Sequence, residues 1–548
     1  MVASIDPNTI ENESVRQIVI DLMNLVEKLS AQVAQLTAEN QQLRDENKRL
    51  KGEQGKPKIR GNKKASDQSS EKERKESKSH DKSSKQGQLK IDREVYLKVD
   101  RKQLPADAVF KGYEEVVLQD LEIQTDNVKF HKEKYYSKSM RRTYLAELPA
   151  GYNGQFGPKV RALVLALYYE SGMSEPKILD LLLVMGLSIS AGELSNLLIK
   201  DQDLFHAESA AIVKAGLSSA PWHHLDSTAT RVNGINQHCH VLCNQLYSFY
   251  VTLPYKDRRS YLRVLLGGAA LTFRYGAQAV QLLTQLGVSA KWVEQLAGML
   301  PAEVTLTEEQ VTARLEEIWP RMGPNVRKNI LDALAIAAYH SQTSYPIVNL
   351  LVCDDAPQFN LLTALLALCW IHEYRHYKQL IPRFSHHIAL LQAFGKQFWQ
   401  LYKGLQDYRE HPTSTQAAAL EAEFEQLFAH KSGYDQLDEY KARTLKKRDQ
   451  LLMVLIHPEI LLHNNPAELG ARQRVRKRDV SLQARTPDGI HAWDTFQTLV
   501  ATAKKLGINI FHYFQDRILG TGTMPALATL IREQAQLLQL GASWQLGP

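Results

Sequence analysis

The stretch Leu350-Leu351-Val352-Cys353-Asp354-Asp355-Ala356-Pro357-Gln358-Phe359, preceded by Pro346-Ile347-Val348-Asn349, decides the reading of the fold. Its first four residues are wholly apolar, as a strand buried on both faces requires, and two carboxylates follow at once. A buried strand that ends in acids places them at its C-terminal edge, where the sites of α/β sheets gather. Asp is also a good N-cap, so one of the pair can cap a helix over LLTALLALCWIHEYRHY (361–377) while the other does chemistry.

Working outward, Pro221-Trp222-His223-His224-Leu225-Asp226-Ser227-Thr228-Ala229-Thr230 leads through Gly234 into QHCHVLCNQLYSFYVTL (237–253). That pattern predicts consecutive antiparallel strands joined by tight turns. Asp226 falls inside the first strand, where Asp is disfavoured, so it has either a functional role or a turn or surface position. His238, Cys239, His240 and Cys243 lie on the next strand, where 239 and 243 face away from 238 and 240, which argues against a zinc site. A third acid stands in Asn464-Asn465-Pro466-Ala467-Glu468-Leu469-Gly470-Ala471-Arg472. Asn465 fits an N-cap and Pro466 the first helical position, which puts Glu468 at N3 and Arg472 one turn later. Glu468 is then a capping-box residue paired with Arg472, or the third member of an acidic set. A strand Asp, a strand-end Asp and a helix Glu are the hard oxygen donors that two Mg²⁺ ions require for in-line phosphoryl transfer.

The flanking sequence has a different character. Leu22, Leu29, Leu36, Leu43 and Leu50 recur every seven residues, with Val19, Val26, Val33, Asn40 and Asn47 three positions before each. This a/d pattern predicts a leucine-zipper coiled coil over 1–50 that makes a homodimer or higher homo-oligomer. Residues 51–90 hold 13 Lys and Arg against 6 Asp and Glu, whereas the other 508 residues carry 54 of each, so one strip holds the whole net charge of +7. With almost no large apolar side chains, 51–92 is expected to be a disordered basic linker suited to a polyanion or simply to solvent. Residues 93–150 alternate and are rich in Val, Ile, Tyr and Thr, predicting a small β-rich module. Within 151–215, SEPKILDLLLVMG and SISAGELSNLLIK, separated at Gly186 with Ser190 as N-cap, predict a helix-turn-helix-like DNA-binding segment.

Composition bounds the class. The chain has 548 residues, 44 % of them hydrophobic, and four cysteines. These values exclude wholesale disorder and a disulfide scaffold and fit a reducing cytoplasm. The N-terminus lacks a signal-peptide pattern, and apolar runs such as Leu361 to Ile371 fall short of the ~20 residues of a bilayer span.

The elements PWHHLDSTATRVNG (221–234), LLVCDDAPQF (350–359), CWIHEYRHY (369–377) and NNPAELGAR (464–472) resemble those of the DDE transposases of bacterial insertion sequences. The nearest type is the one numbered sixty-six, whose N-terminus is a leucine zipper. The stretch GPKVRALVLALYYESGMSEPKILDLLLVMGLSISAGELSN (157–196) resembles that group's helical segment ahead of the catalytic domain. The resemblance covers roughly residues 150–520.

It implies an α/β, RNase H-like catalytic domain with large all-α insertions. The core would begin over 216–384, with a helical insertion near 274–340. An all-α insertion would fill 385–455, the core would resume over 456–525, and a tail would follow over 526–548. The resemblance also implies a catalytic and metal-binding triad of Asp226, Asp354 and Glu468, with Asp354 preferred to Asp355 because the family pattern puts the acid first. Two Mg²⁺ ions, replaceable by Mn²⁺, would be the cofactor, and double-stranded transposon-end and target DNA the partner. Arg472, Arg474, Arg476, Lys477 and Arg478 are expected phosphate contacts, and so are Arg375 and His376. The family often carries a zinc-binding Cys cluster after the zipper, and this chain has no Cys before Cys239. The activity implied is that of a DNA transposase in the cytoplasm, on the nucleoid. Two other readings share its scaffold: a silent transposase-derived DNA-binding protein, and a metal-dependent nuclease without strand transfer.

Overall fold

A computed structural model describes residues 6–51, 91–100, 104–105, 107–152 and 154–544; the basic linker expected over 51–92 lies almost wholly outside them. At the centre is a five-stranded mixed sheet. Its strands are β1 (Trp222–Val232), β2 (Ile235–Cys243), β3 (Ser248–Leu253), β4 (Leu350–Cys353) and β5 (Leu365–Leu368), in the order β3-β2-β1-β4-β5. The first three are antiparallel, while β4 pairs parallel with β1 and β5 parallel with β4. The β1–β2 turn is Asn233-Gly234, both at positive φ (47° and 78°), the two-residue hairpin turn that matches strand twist. All four residues of β4 are buried, as its unbroken apolar run requires.

The run 361–377, read from sequence as one helix, is divided: Leu365–Leu368 forms β5, and the helix starts at Trp370. Parallel pairing with β4 overrides the helical preference of those leucines. On the opposite edge, β3 would expose a row of free N–H groups. The helix Pro487–Lys505 covers it: Asp494, Thr498 and Thr502 accept from the N–H groups of Thr252 (2.7 Å), Tyr250 (3.0 Å) and Ser248 (3.2 Å). Side chains four apart on a helix advance about 6 Å, near the two-residue step of a strand, so one helix caps alternate positions of one edge.

Helices Ala277–Gln285, Ala290–Met299, Glu308–Ile318 and Pro324–Ser341 lie between β3 and β4. A second helical block, Ser385–Glu410, Ser414–Ala429 and Asp435–Leu445, precedes the Glu468 helix, Asn465–Ser481. The segment set apart as a tail contains the helix Leu527–Leu538, whose Leu527, Ala528 and Ile531 are buried, so it is packed structure rather than a tail. Among the described residues of 93–150, regular strands occur only in the hairpin Lys134–Ser137 with Arg142–Leu145, which corrects the β-rich module. Alternation forms a strand only where a partner supplies the ladder, and Val109, Phe110, Tyr113, Val116 and Leu118 remain exposed.

Between helices Glu175–Val184 and Ala191–Ile199, Gly186 turns the chain at φ 86°, and Ser190 Oγ accepts from Glu193 N–H at 3.2 Å. The leading helix Glu13–Leu50 exposes Leu22, Leu29, Leu36, Leu43 and Leu50 by 50–76 %. A different face, Met23, Asn24 and Glu27, is buried on the second helical block. There Asn24 bonds Gly433 O (3.0 Å), and Glu27 accepts from Arg383 N–H (2.6 Å). No helix among the described residues is long and apolar enough to cross a membrane.

Candidate active site

Register brings the first two acids together. β1 and β4 pair in parallel as far as His224 with Val352, so Asp226 lies two residues past the last pair on one strand and Asp354 directly past the end of the other, at Cys353. The Ser227 N–H donates to Asp226 Oδ1 (2.7 Å), and the Ala356 N–H donates to Asp354 Oδ1 (3.1 Å), an Asx-type turn that leads the chain away. The loop is held from beneath by Phe359, packed on Tyr261 with ring centroids 4.6 Å apart; the Tyr261 hydroxyl lies 3.2 Å from Ser227 Oγ. Arg258 adds bonds to Pro357 O and Asn360 O, both 3.2 Å, and an ion pair with buried Asp332 at 3.0 Å.

The Glu468 helix begins one residue earlier than expected. Asn464 is the N-cap, not Asn465, and its side chain makes no cap bond. It crosses to the sheet instead: Nδ2 donates to Leu225 O (2.9 Å), and Oδ1 lies 3.1 Å from His224 Nδ1. Both groups immediately precede Asp226, so one buried amide fixes the start of the Glu468 helix against the strand that carries the first acid. The same helix approaches the sheet at Gly470, where a Cβ would lie 2.7 Å from Val241 Cγ1 and 3.3 Å from the Tyr250 hydroxyl.

The electrostatics follow from this convergence. Burial raises Asp226 from its ordinary 3.8 to about 7, and Glu468 and Asp354 add to the rise, against the Ser227 N–H and Lys256. Glu468 Oε1 is buried without a hydrogen-bond partner. The carboxylate is turned toward the helix Trp370–Tyr377, with Oε1 3.6 Å from His372 Nδ1 and Oε2 3.6 Å from Arg375 Nη2. Glu468 and Asp354 thus both act on Asp226, and carboxylate oxygens are the donors that a hard divalent cation takes.

Tighter donor groups occur beside it. Cys369, His372 and Glu468 offer atoms within 4.8 Å of one another, as do Asp355, Glu373 and His376. Asp226 and Asp354 belong to neither. The Cys369 thiol is pushed up to about 12 by burial and is a poor ligand. The second group already holds a cation, the Lys447 ammonium, 2.8 Å from Asp355 Oδ2 and 2.9 Å from Glu373 Oε2. Asp355 also meets His376 Nε2 at 3.2 Å, and these two partners, His376 foremost, hold its carboxyl well below the usual range. Asp355 is thus engaged, and Asp354 is the one of the two that acts on the Asp226 carboxyl. A pair of ions about 4 Å apart needs ligands spread more widely than a single-ion cage.

The basic run divides by helical face. Arg472 and Arg476 are exposed, and Arg478 is partly exposed with its guanidinium donating to Ala229 O. Arg474 and Lys477 are buried, which removes them as phosphate contacts. Arg474 pairs with Asp494 and lies 5.6 Å from the Trp493 ring centroid, and Lys477 donates to Tyr168 O (2.9 Å). Burial lowers the Lys477 ammonium to about 6. The spacing 467-470-471-474-477 is the inner face of this helix, a signal present in the sequence but masked by the density of charge. Arg375 is half-exposed beside Glu468 and donates to His372 Nε2 (2.7 Å), and His376 is spent on Asp355, so both border the acids. Lys447 does not stand out as a site residue in the sequence, and Asn464 and Gly470 stand in a motif without a role of their own, because their value lies in contacts between distant segments.

Comparison with known proteins agrees with the motifs. Residues 314–492 match the model of the family described as "Transposase IS66 family", a span that includes Asp354 and Glu468; Asp226 precedes it. The chain is also 28 % identical over 344 residues to "Uncharacterized protein y4jO" of Sinorhizobium fredii (strain NBRC 101917 / NGR234), covering 59 % of this chain and all of that protein. No solved structure matches. Residues 314–492 are thus similar to the IS66 transposase family.

Proposed function

We propose that this protein is an insertion-sequence transposase with an RNase H-like core, which cuts transposon ends and joins their 3′-hydroxyls to target DNA. The observation that supports this reading is that Glu468 and Asp354 both act on the buried Asp226 carboxyl, Asp354 following directly on the strand that pairs parallel with β1 and the Glu468 helix being tied to β1 by Asn464. Asp226, Asp354 and Glu468 would hold two Mg²⁺ or Mn²⁺ ions. Bound there, the ions would activate the attacking water or 3′-hydroxyl and offset charge on the scissile phosphate. Arg375, at the rim, would orient the strand by a phosphate contact, while exposed Arg472 and Arg476 would add contacts further along the duplex. Ser190, Ala191 and Gly192, exposed at the start of the second helix of the helix-turn-helix, would face the DNA. Self-association through the leucine stripe would pair two ends in one complex on the bacterial nucleoid.

The test is incubation with Mg²⁺ or Mn²⁺ and DNA containing the sequences that flank the gene. Wild type is expected to give 3′-hydroxyl ends and joined product, with each of Asp226→Ala, Asp354→Ala and Glu468→Ala inactive. Activity retained in all three variants would overturn the triad. Cleavage without joining would favour a nuclease, and binding without cleavage a silent DNA-binding protein.

A further inference from the structure

The helix Trp370–Tyr377 lies between two charged systems. Its start is fixed by fully buried Trp370, whose N–H donates to Leu462 O (2.9 Å) and whose indole donates to Leu451 O (2.8 Å). His372 and Arg375, three apart, face Glu468. Glu373, His376 and Tyr377 face the all-α insertion and the acidic loop. Glu373 is buried, with Oε1 accepting from the Thr444 hydroxyl, which also meets the Tyr377 hydroxyl. Its Oε2 lies 2.9 Å from Lys447 Nζ, and the same ammonium lies 2.8 Å from Asp355 Oδ2. Lys447 follows directly on the insertion helix Asp435–Leu445. A single cation supplied by the insertion therefore bridges the neighbour of Asp354 and the neighbour of His372.

We propose, resting on the transposase reading above, that Lys447 is a positioning residue for the metal site: by bridging Asp355 and Glu373 it sets the Asp354 loop and the His372–Arg375 face at the distance Glu468 requires. An ammonium suits this because it is a compact point charge with three donors, two of which serve the two carboxylates. Removing it leaves a buried Glu373 without its counter-charge and leaves Asp355, next to Asp354, with His376 as its side-chain partner. The insertion then acts as a buttress for the acids and not as a separate appendage.

The test compares wild type, Lys447→Met, Lys447→Arg and the double variant Lys447→Met/Glu373→Gln in the full chain. Three quantities are read: thermal midpoint, Mn²⁺ binding by the loss of the free-ion electron paramagnetic resonance signal, and the Mn²⁺ concentration for half-maximal DNA cleavage. The double variant relieves the buried charge and is expected to stay folded. It and Lys447→Met are expected to need roughly 10- to 100-fold more Mn²⁺, the usual effect of losing a residue that orients a metal ligand. Lys447→Arg, whose fork can span both carboxylates, is expected to recover most of the affinity. A folded Lys447→Met or double variant with wild-type Mn²⁺ dependence would overturn the positioning role alone. Wild type that neither binds Mn²⁺ nor cleaves would overturn the transposase reading, and this one with it.

Discussion

Asp226 shows most directly what the site demands. Burial, with Glu468 and Asp354 nearby, raises its carboxyl to about 7 from an ordinary 3.8. A raised acid favours the folded state fully below the unfolded value, and that contribution is lost as pH rises through the folded value. Without divalent ions, wild type is therefore expected to melt below Asp226→Asn at pH 8, with the gap closing toward pH 4. Mg²⁺ is expected to raise the wild-type midpoint at pH 8 and to leave Asp226→Asn almost unmoved; thermal melts in chelator and in Mg²⁺ read both. Two neighbours on the Glu468 helix separate structure from function. Arg474→Ala strands Asp494 in a buried pair and is expected to cost about 3–5 kcal/mol in denaturant unfolding. Arg476→Ala, exposed, is expected to stay within about 0.5 kcal/mol while weakening DNA binding and its salt dependence. Asp354 stands out in the sequence because it follows an apolar strand, whereas Asp226 and Glu468 are each ambiguous alone and are joined to it by the family resemblance. The fates of Arg474 and Lys477 were not legible, because a run of basic residues hides its own inner face.

The elements were legible where a local pattern also decides the tertiary partner. β1 to β3 follow from alternation and an Asn-Gly turn, and β4 from its apolar run. The start of the Glu468 helix falls one residue before the sequence expectation because Asn464 and Asn465 are equally good caps locally, and only the bond from Asn464 to Leu225 O separates them. The strand Leu365–Leu368 is hidden inside a helical pattern for the same reason: its pairing with β4 is not written in its own residues. Gly470 carries the packing of the Glu468 helix on the sheet. Gly470→Ala puts a methyl 2.7 Å from Val241 Cγ1, so the helix has to move away from β2. We expect a loss of about 1–3 kcal/mol by denaturant unfolding. Divalent-ion affinity is expected to fall too, since Glu468 lies two residues away.

At the scale of the molecule, the leading helix has two distinct faces, of which the heptad pattern reports one. Its Met23, Asn24 and Glu27 face docks on the insertion, and its leucine stripe is left exposed. A seven-residue repeat reports the narrow seam and says nothing of the opposite face, so the docking is invisible in the pattern. Leu29→Glu/Leu36→Glu is expected to reduce the self-associated species to monomer in sedimentation velocity, with the insertion contacts intact; an unchanged sedimentation coefficient would rule out the zipper. The same insertion contributes Lys447 to the acids, so leading helix, insertion and site form one connected body of contacts. The most direct measurement is anomalous diffraction from crystals of the protein with Mn²⁺ and transposon-end DNA. Two manganese peaks bounded by the Asp226, Asp354 and Glu468 carboxylates are expected. Manganese bound instead by Asp355, Glu373 and His376, or absent from the three acids, would contradict the two-metal triad.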